Sequence, residues 1–269
     1  MHLKDIYIYP IKSLGGIRLT EAILEEKGLQ YDRRWMLIDK DGKFLSQRTI
    51  PKLALLQVSI SEDKLQVTHK KEPNISISFP LDAKTNKLKN VSIWEDVVEG
   101  QVVDEHVSDW FSEQLSMACE LVIMPESTKR KLKEKYAVNG ESVSFADGMP
   151  YLLIGQSSLD DLNEKLEDPV PMDRFRPNLV FEGGEAFEED KWDQIQVGTA
   201  LFKITKPCAR CVMVTVDQEN ANKSKEPLKT LASYRTVDGK VMFGQNMLLL
   251  KGEKIAVGDE VKVVNGRNS

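Results

Sequence analysis

Histidine and cysteine are scarce in this chain, with three of each among 269 residues. A structural zinc site needs four ligands, usually from two C-x-x-C pairs or a C-x-x-C and an H-x-x-x-H. Cys208 and Cys211 form one such pair, but Cys119 stands alone and His2, His69 and His106 are scattered. Three cysteines also fall short of a secreted disulfide framework. No apolar run approaches the roughly 18 residues of a membrane span. The first residues, "MHLKDIYIYPIKS", carry Lys4 and Asp5 and no apolar signal core. Basic excess is absent as well: 37 Lys and Arg face 42 Asp and Glu, a net charge of −5. This weighs against a general nucleic-acid or anionic-membrane surface and leaves room for a local basic pocket. The expectation is a soluble, cytoplasmic protein with neither nucleic acid nor membrane as partner.

What is present reads as a globular chain of one large or two modest domains. The first half is patterned as short strands. "RWMLIDKDGKFLSQR" and "LLQVSISEDKLQVTH" predict hairpins, and "NISISF" and "NVSIW" alternate at period 2. "VSDWFSEQLSM" predicts a helix capped by Ser108. "SSLDDLNEKLED" predicts another, capped by Ser157 or Ser158, with Leu159, Leu162 and Leu166 as a core stripe. Strands return in "NLVF", "ALFKIT", "CVMVTVD", "MLLLKG" and "KIAVGDEVKVV", and a short helix is expected from Pro227. Residues 125–146 are charged and poor in large apolar side chains, which predicts an exposed linker or lid. Within it, "KRKLKEK" at Lys129–Lys135 reads as a solvated segment or a docking patch for an acidic redox partner.

The C-x-x-C pair is the sharpest chemical signal. A thioredoxin-like pair places its first cysteine at a helix N-terminus. The run Val212–Val216, rich in β-branched residues, predicts a strand instead. Two readings stay open: one thiolate serving as a soft metal ligand beside the guanidinium of Arg210, or two buried structural cysteines. Lys12 and Ser13, in "YPIKSLGG", offer an ammonium, a hydroxyl and permissive backbone, the groups a phosphate needs. Arg33 in "DRRW" and Arg176 in "DRFRPN" are cations at strand ends. Any of these also serves as an ordinary surface ion-pair residue. Asp147, in "SFADGMPYLLIG", fits either a plain turn or a carboxylate at a pocket mouth.

Taken in order, "YPIKSLGGI", "DRRWMLID", "SLDDLNEKL", "FRPNLVF", "AFEEDKWDQIQVG", "PCARCVMVTVD", "EPLKTLASYR" and "FGQN…VGDEV" resemble a MOSC-domain protein with its N-terminal β-barrel domain. The nearest subgroup is the mitochondrial amidoxime-reducing component and its bacterial relatives. The resemblance implies a β-rich α+β fold: a small β-barrel-like domain over 1–120 and a MOSC barrel with peripheral helices over 121–269. Early strands carrying Lys12 and Arg33 are expected to join the second part.

The resemblance further implies a molybdenum cofactor (Mo-molybdopterin), with Cys211 as the metal ligand. It implies Lys12, Ser13, Arg33 and Arg176 around the cofactor's phosphate and pterin, Ala209 and Arg210 lining it, and Asp147 near the metal as a catalytic residue. Cys208 is implied to be a bystander. Pyridoxal phosphate attaches to the family only at the level of general description. The implied activity is reduction of small N-hydroxylated compounds: hydroxylamines, amidoximes and N-hydroxylated bases. The resemblance places no [2Fe–2S] module after the last strand, so a separate protein is expected to supply electrons: a flavoprotein reductase, a ferredoxin or a b5-type cytochrome. The alternatives are a sulfur carrier using a Cys211 persulfide, and a non-enzymatic cofactor carrier.

Overall fold

The computed structural model describes residues 1–266. The chain is α+β and dominated by strands, with three α-helices among the described residues. Its largest unit is a nine-stranded sheet. The order begins Val261–Gly266, Trp192–Val197, Ala200–Ala209, Lys240–Lys251 and continues Tyr151–Gly155, Leu179–Glu182, His2–Ile8, Ile17–Leu19; Thr236–Val237 pairs off Lys240–Lys251. Pairing is antiparallel except between Tyr151–Gly155 and Leu179–Glu182. The first strand of the chain thus lies in a sheet built mostly from the C-terminal half. Tyr9 to Ser13 therefore emerge beside Arg176.

Three smaller sheets complete the β structure. Trp35–Ile38, Glu120–Ile123, Asp96–Val102 and Leu88–Ile93 form one, and the meander Leu56–Ser61, Lys64–His69, Glu72–Pro80 forms another. The meander follows the expected hairpin, with Ser61 opposite Lys64. The third joins Lys254–Ala256, Glu21–Glu25 and Gly28–Leu29. The hairpin expected over Arg34–Arg48 forms only in part. Trp35–Ile38 pairs with Glu120–Ile123, and the second leg touches it through a bridge from Ile38 to Phe44. Asp39 Oδ1 accepts the backbone N–H groups of Asp41 and Lys43 in the turn. The leg then leaves the ladder and carries Gln47 and Arg48 inward.

The helices sit where the apolar stripes predict, with different caps. Helix α1 (Glu105–Leu115) is capped by Asp104, whose carboxylate accepts from Val107 N–H at 3.1 Å. Ser108 lies inside the helix and donates back to Asp104 O at 2.8 Å. A carboxylate beside the positive helix end is the better cap. Helix α2 (Gln156–Asn163) starts after Gly155 with no side-chain cap. Ser158 Oγ is drawn instead to the buried Glu189 carboxylate at 2.9 Å, and Ser157 Oγ to Gly184 O. Helix α3 (Leu228–Tyr234) begins at Pro227 as expected.

Leu159 and Leu162 of α2, Leu231 of α3, Phe175, Val214 and Phe243 share one buried cluster. Each such side chain contributes about 1.5–3 kcal/mol by leaving water. Phe175 and Phe243 stack with ring centroids 4.3 Å apart. Phe175 adjoins Arg176 and Val214 follows Cys211 by three residues. This cluster is therefore a close-packed floor under both, and close-packed cores hold what they carry.

Two expectations are corrected. Val212–Thr215 is a 3₁₀ helix, not a strand, with Cys211 at its N-cap. Strand geometry would bury alternate residues, yet Val214, Thr215 and Val216 are buried in succession and Val212 is 50% exposed. The hydrogen bonds Val214 N–H to Cys211 O and Val216 N–H to Met213 O close the turn. The preceding strand has already ended: Pro207 lies at a register shift, as a proline in a ladder must. Residues 125–146 contain no helix or strand but are no loose linker. Leu132, Val143 and Phe145 are buried, and the buried Arg130 binds Asp96 Oδ2 at 2.7 Å and Ser144 O at 3.0 Å. The basic stretch is split accordingly: Lys131, Lys133 and Lys135 are exposed while Arg130 and Leu132 point inward.

Candidate functional site

Lys12, Ser13, Arg33, Asp147, Arg176, Ala209, Arg210 and Cys211 all line one cleft. The fold collects them from four places: the exit of the first strand, the turn before Trp35, the approach to Tyr151, and the ends flanking Leu179–Glu182 and Ala200–Ala209. Ser13, Arg33 and Arg176 have φ values of +71°, +51° and +53°. Left-handed backbone in residues with a Cβ costs of order 1–3 kcal/mol each and gathers at functional sites. Here it turns three polar side chains toward one centre.

Lys12 is buried. Its ammonium donates to Phe145 O at 2.7 Å and to Asp147 Oδ1 at 2.6 Å. Burial pulls its pKa down to about 8, with Asp147 opposing. Arg33 donates to both oxygens of Asp32, at 2.8 and 2.6 Å, and to Arg176 O at 3.2 Å. Arg176 donates to Leu14 O at 2.8 Å. The guanidiniums of Arg33 and Arg176 lie 4.2 and 4.0 Å from the centre of the Tyr9 ring. Burial lowers the Arg176 pKa to about 10, and the Arg33 charge adds to the effect.

Cys211 is exposed at the cleft, and both it and Cys208 are free thiols. The guanidinium that approaches Cys211 is not that of Arg210. Arg210 turns back to donate to Cys208 Sγ at 3.0 Å and to Phe175 O. Arg48 takes the place beside Cys211, with Nε 3.4 Å from Sγ and Nη2 3.0 Å from Asp147 Oδ2. Trp94 Nε1 donates to Asp147 Oδ1 at 3.2 Å, and Arg48 stacks on the Trp94 ring at 4.2 Å. Desolvation at the cleft opposes ionisation of Asp147, but Lys12 and Arg48 outweigh it and hold the carboxyl well below its ordinary range. Sequence reasoning missed Arg48 and Trp94. "LSQRT" looks like any surface cation, and Trp94 reads only as the end of an alternating strand.

The residues fit an anionic group. Arg176 and Arg210 have no carboxylate within ion-pair distance among the described residues. Arg176 Nη2, Arg210 Nε and the Tyr9 hydroxyl are buried without a hydrogen-bond partner. Buried guanidinium donors left unpaired are costly, and an anion would satisfy them. No group of three or more His, Cys, Asp or Glu could hold a metal among the described residues. A metal here would take Cys211 from the protein and its remaining ligands from a cofactor. That suits a pterin dithiolene better than a bare ion. No helix among the described residues is long and apolar enough to cross a membrane.

The family model for the MOSC domain matches residues 140–262, and that for the MOSC N-terminal beta barrel domain matches residues 1–118. Mitochondrial amidoxime-reducing component 1 from mouse is 34% identical over 276 residues, covering 96% of this chain and 80% of its own length. The human counterpart is 30% identical over 276 residues, covering 96% and 81%. A rice protein named molybdenum cofactor sulfurase is 34% identical over 287 residues, but this chain spans only 34% of that relative's length. With both domain models matched and most of the mouse and human relatives covered, this chain belongs to the MOSC-domain family that includes the mitochondrial amidoxime-reducing components.

Proposed function

We propose that the chain reduces small N-hydroxylated compounds with a bound molybdenum cofactor and electrons from a separate redox protein. The observation that carries this reading is the pair of buried, carboxylate-free guanidiniums, Arg176 and Arg210, facing the cleft of an exposed Cys211. The net reaction is R–NHOH + 2e⁻ + 2H⁺ → R–NH₂ + H₂O, which breaks the N–O bond and reduces nitrogen. When bound, the cofactor would supply the two-electron chemistry at its metal.

The chain's own residues set the stage. Cys211 supplies the soft thiolate. Lys12, Ser13, Arg33 and Arg176 bind the phosphate and pterin, whose negative charge offsets the cost of burying their cations. Ala209 and Arg210 line the same wall. Asp147 is ionised at neutral pH, so it serves as an acceptor that orients the substrate's N–H or O–H donors rather than as a proton donor. Domains over 1–120 and 121–269 share the task, since Lys12, Arg33 and Arg48 come from the first and the remaining residues from the second.

The experiment is metal and pterin analysis of gently purified protein, with anaerobic turnover of benzamidoxime by a reduced dye. About one molybdenum per chain, and reduction lost in Cys211→Ser, supports the reading. A stable persulfide on Cys211 without metal would favour the sulfur carrier, and bound cofactor without turnover the cofactor carrier.

A further inference from the structure

A second cleft of about 1080 Å³ adjoins the cradle, and Arg48, Asp147 and Gly148 line both. Its size lies at the upper end of small-molecule sites. Phe44, Trp94 and Tyr136 supply its aromatic surface. Trp94 is 54% exposed and adopts φ +57° in the turn between Leu88–Ile93 and Asp96–Val102. Strained backbone under a large exposed aromatic is a pattern of ligand sites rather than of packing. The indole is nevertheless fixed, by its hydrogen bond to Asp147 and by the Arg48 guanidinium on its ring.

The charge of this cleft is opposite to that of the whole chain. Lys43, Arg48, Arg130, Lys131, Lys133 and Lys206 line it, against Asp41, Glu95, Asp96 and Asp147. Arg48, Arg130 and Lys133 are paired with Asp147, Asp96 and Glu95. Lys43, Lys131 and Lys206 have no such partner within ion-pair distance among the described residues. Lys206 is half-buried, its ammonium 4.0 Å from the Tyr136 ring centre. An acceptor-rich ligand would complete these cations, and a cationic one would be repelled.

We propose that this cleft binds the non-reacting part of the substrate, and that it takes a flat aromatic ring bearing an anionic substituent. The ring lies against Trp94, and the anion reaches Lys206 and Lys131. Arg48 and Asp147, at the shared wall, place the reacting nitrogen toward Cys211. The proposal deepens the reductase reading and rests on it for the reaction, whereas the binding preference is read from the cleft itself.

The test is calorimetric titration of the purified full chain with benzamidoxime and its para-carboxylate and para-aminomethyl derivatives. The carboxylate should bind about fivefold or more tighter than the neutral compound, and the ammonium compound most weakly. Lys206→Gln and Lys131→Gln should each reduce the anion preference and leave neutral binding unchanged. Because Lys131 is exposed, its variant remains informative even if Lys206→Gln folds poorly. Trp94→Ala should weaken all three alike. Equal or better binding of the ammonium compound, an anion preference that survives both lysine variants, or binding of none overturns the proposal. Turnover of the same compounds separates the two readings: preferential binding without reduction sinks the reductase and leaves this site standing.

Discussion

The Arg48 side chain bridges the two ends of the candidate chemistry. Its Nε lies 3.4 Å from Cys211 Sγ and its Nη2 is 3.0 Å from Asp147 Oδ2, across 163 and 99 residues of sequence. One rigid fork thus fixes the spacing between thiol and carboxylate, which a lysine's point charge could not do. Arg48→Lys is expected to keep the cleft's charge and still lower kcat by about tenfold or more, because the orientation is lost. Stability should change by less than about 1 kcal/mol, since Asp147 keeps Lys12 and is half-exposed. Steady-state kinetics with thermal melts of the same samples reads both. A stability loss large enough to account for the rate would refute the positioning role.

The two cysteines are expected to separate cleanly. Cys211 faces the cleft from an N-cap, while Cys208 lies in the strand Ala200–Ala209 and accepts from Arg210. Cys211→Ser replaces a soft ligand by a hard one. It should leave the purified protein with less than about a tenth of the wild-type molybdenum and no turnover. Cys208→Ser keeps an acceptor for Arg210 and should retain most of both. Molybdenum content beside activity decides the matter; equal losses in the two variants would mean a shared role.

The β-rich fold was legible because period-2 alternation survives in single segments such as Leu56–His69. Its failures have local causes. Val212–Val216 has strand composition, but the ladder had already ended at Pro207, and burial of three consecutive residues required a tighter turn. The caps at Ser108 and Ser158 were misplaced because Asp104 offered a charged acceptor and Glu189 a buried one. At the site, the motif series located residues that spacing alone left as surface cations. What no linear pattern could show is a side chain recruited by geometry. Arg48 reaches the cleft because its strand leg detaches after Phe44, and Arg210 faces Cys208 because the chain turns at Cys211.

Arg176 is expected to oppose stability while serving binding. Its guanidinium is buried, has one unpartnered nitrogen and lies near the like charge of Arg33. Replacing a poorly compensated buried charge by an apolar side chain of similar length is often neutral or stabilising. Arg176→Met should therefore leave the cofactor-free protein as stable as wild type or more stable, by about 1 kcal/mol. The left-handed backbone disfavours both residues equally. The same variant should lose most of its bound pterin, since a central phosphate donor is gone. Denaturant melts of cofactor-free samples, set beside pterin content, test the opposed signs; destabilisation by several kcal/mol would show that Arg176 is part of the packing.

Lys12 makes the pH dependence specific. Its ordinary pKa of 10.5 falls to about 8 because burial disfavours the ammonium. Between those values the unfolded chain holds a proton that the folded chain has lost, so this group's contribution to stability rises with pH from about 8 to 10.5. Binding of an anion has the opposite sign, because it requires the charged ammonium. Affinity for a phosphorylated pterin should be flat below pH 8 and fall up to about tenfold per unit above it, where each bound ligand must restore a proton. Arg176, lowered to about 10, would steepen the fall only at the top of the range. Lys12→Met should bind more weakly at neutral pH and lose the break near 8. A wild-type affinity that stays level from pH 7 to 9.5 would remove Lys12 from the anion site, whatever its part in holding Asp147.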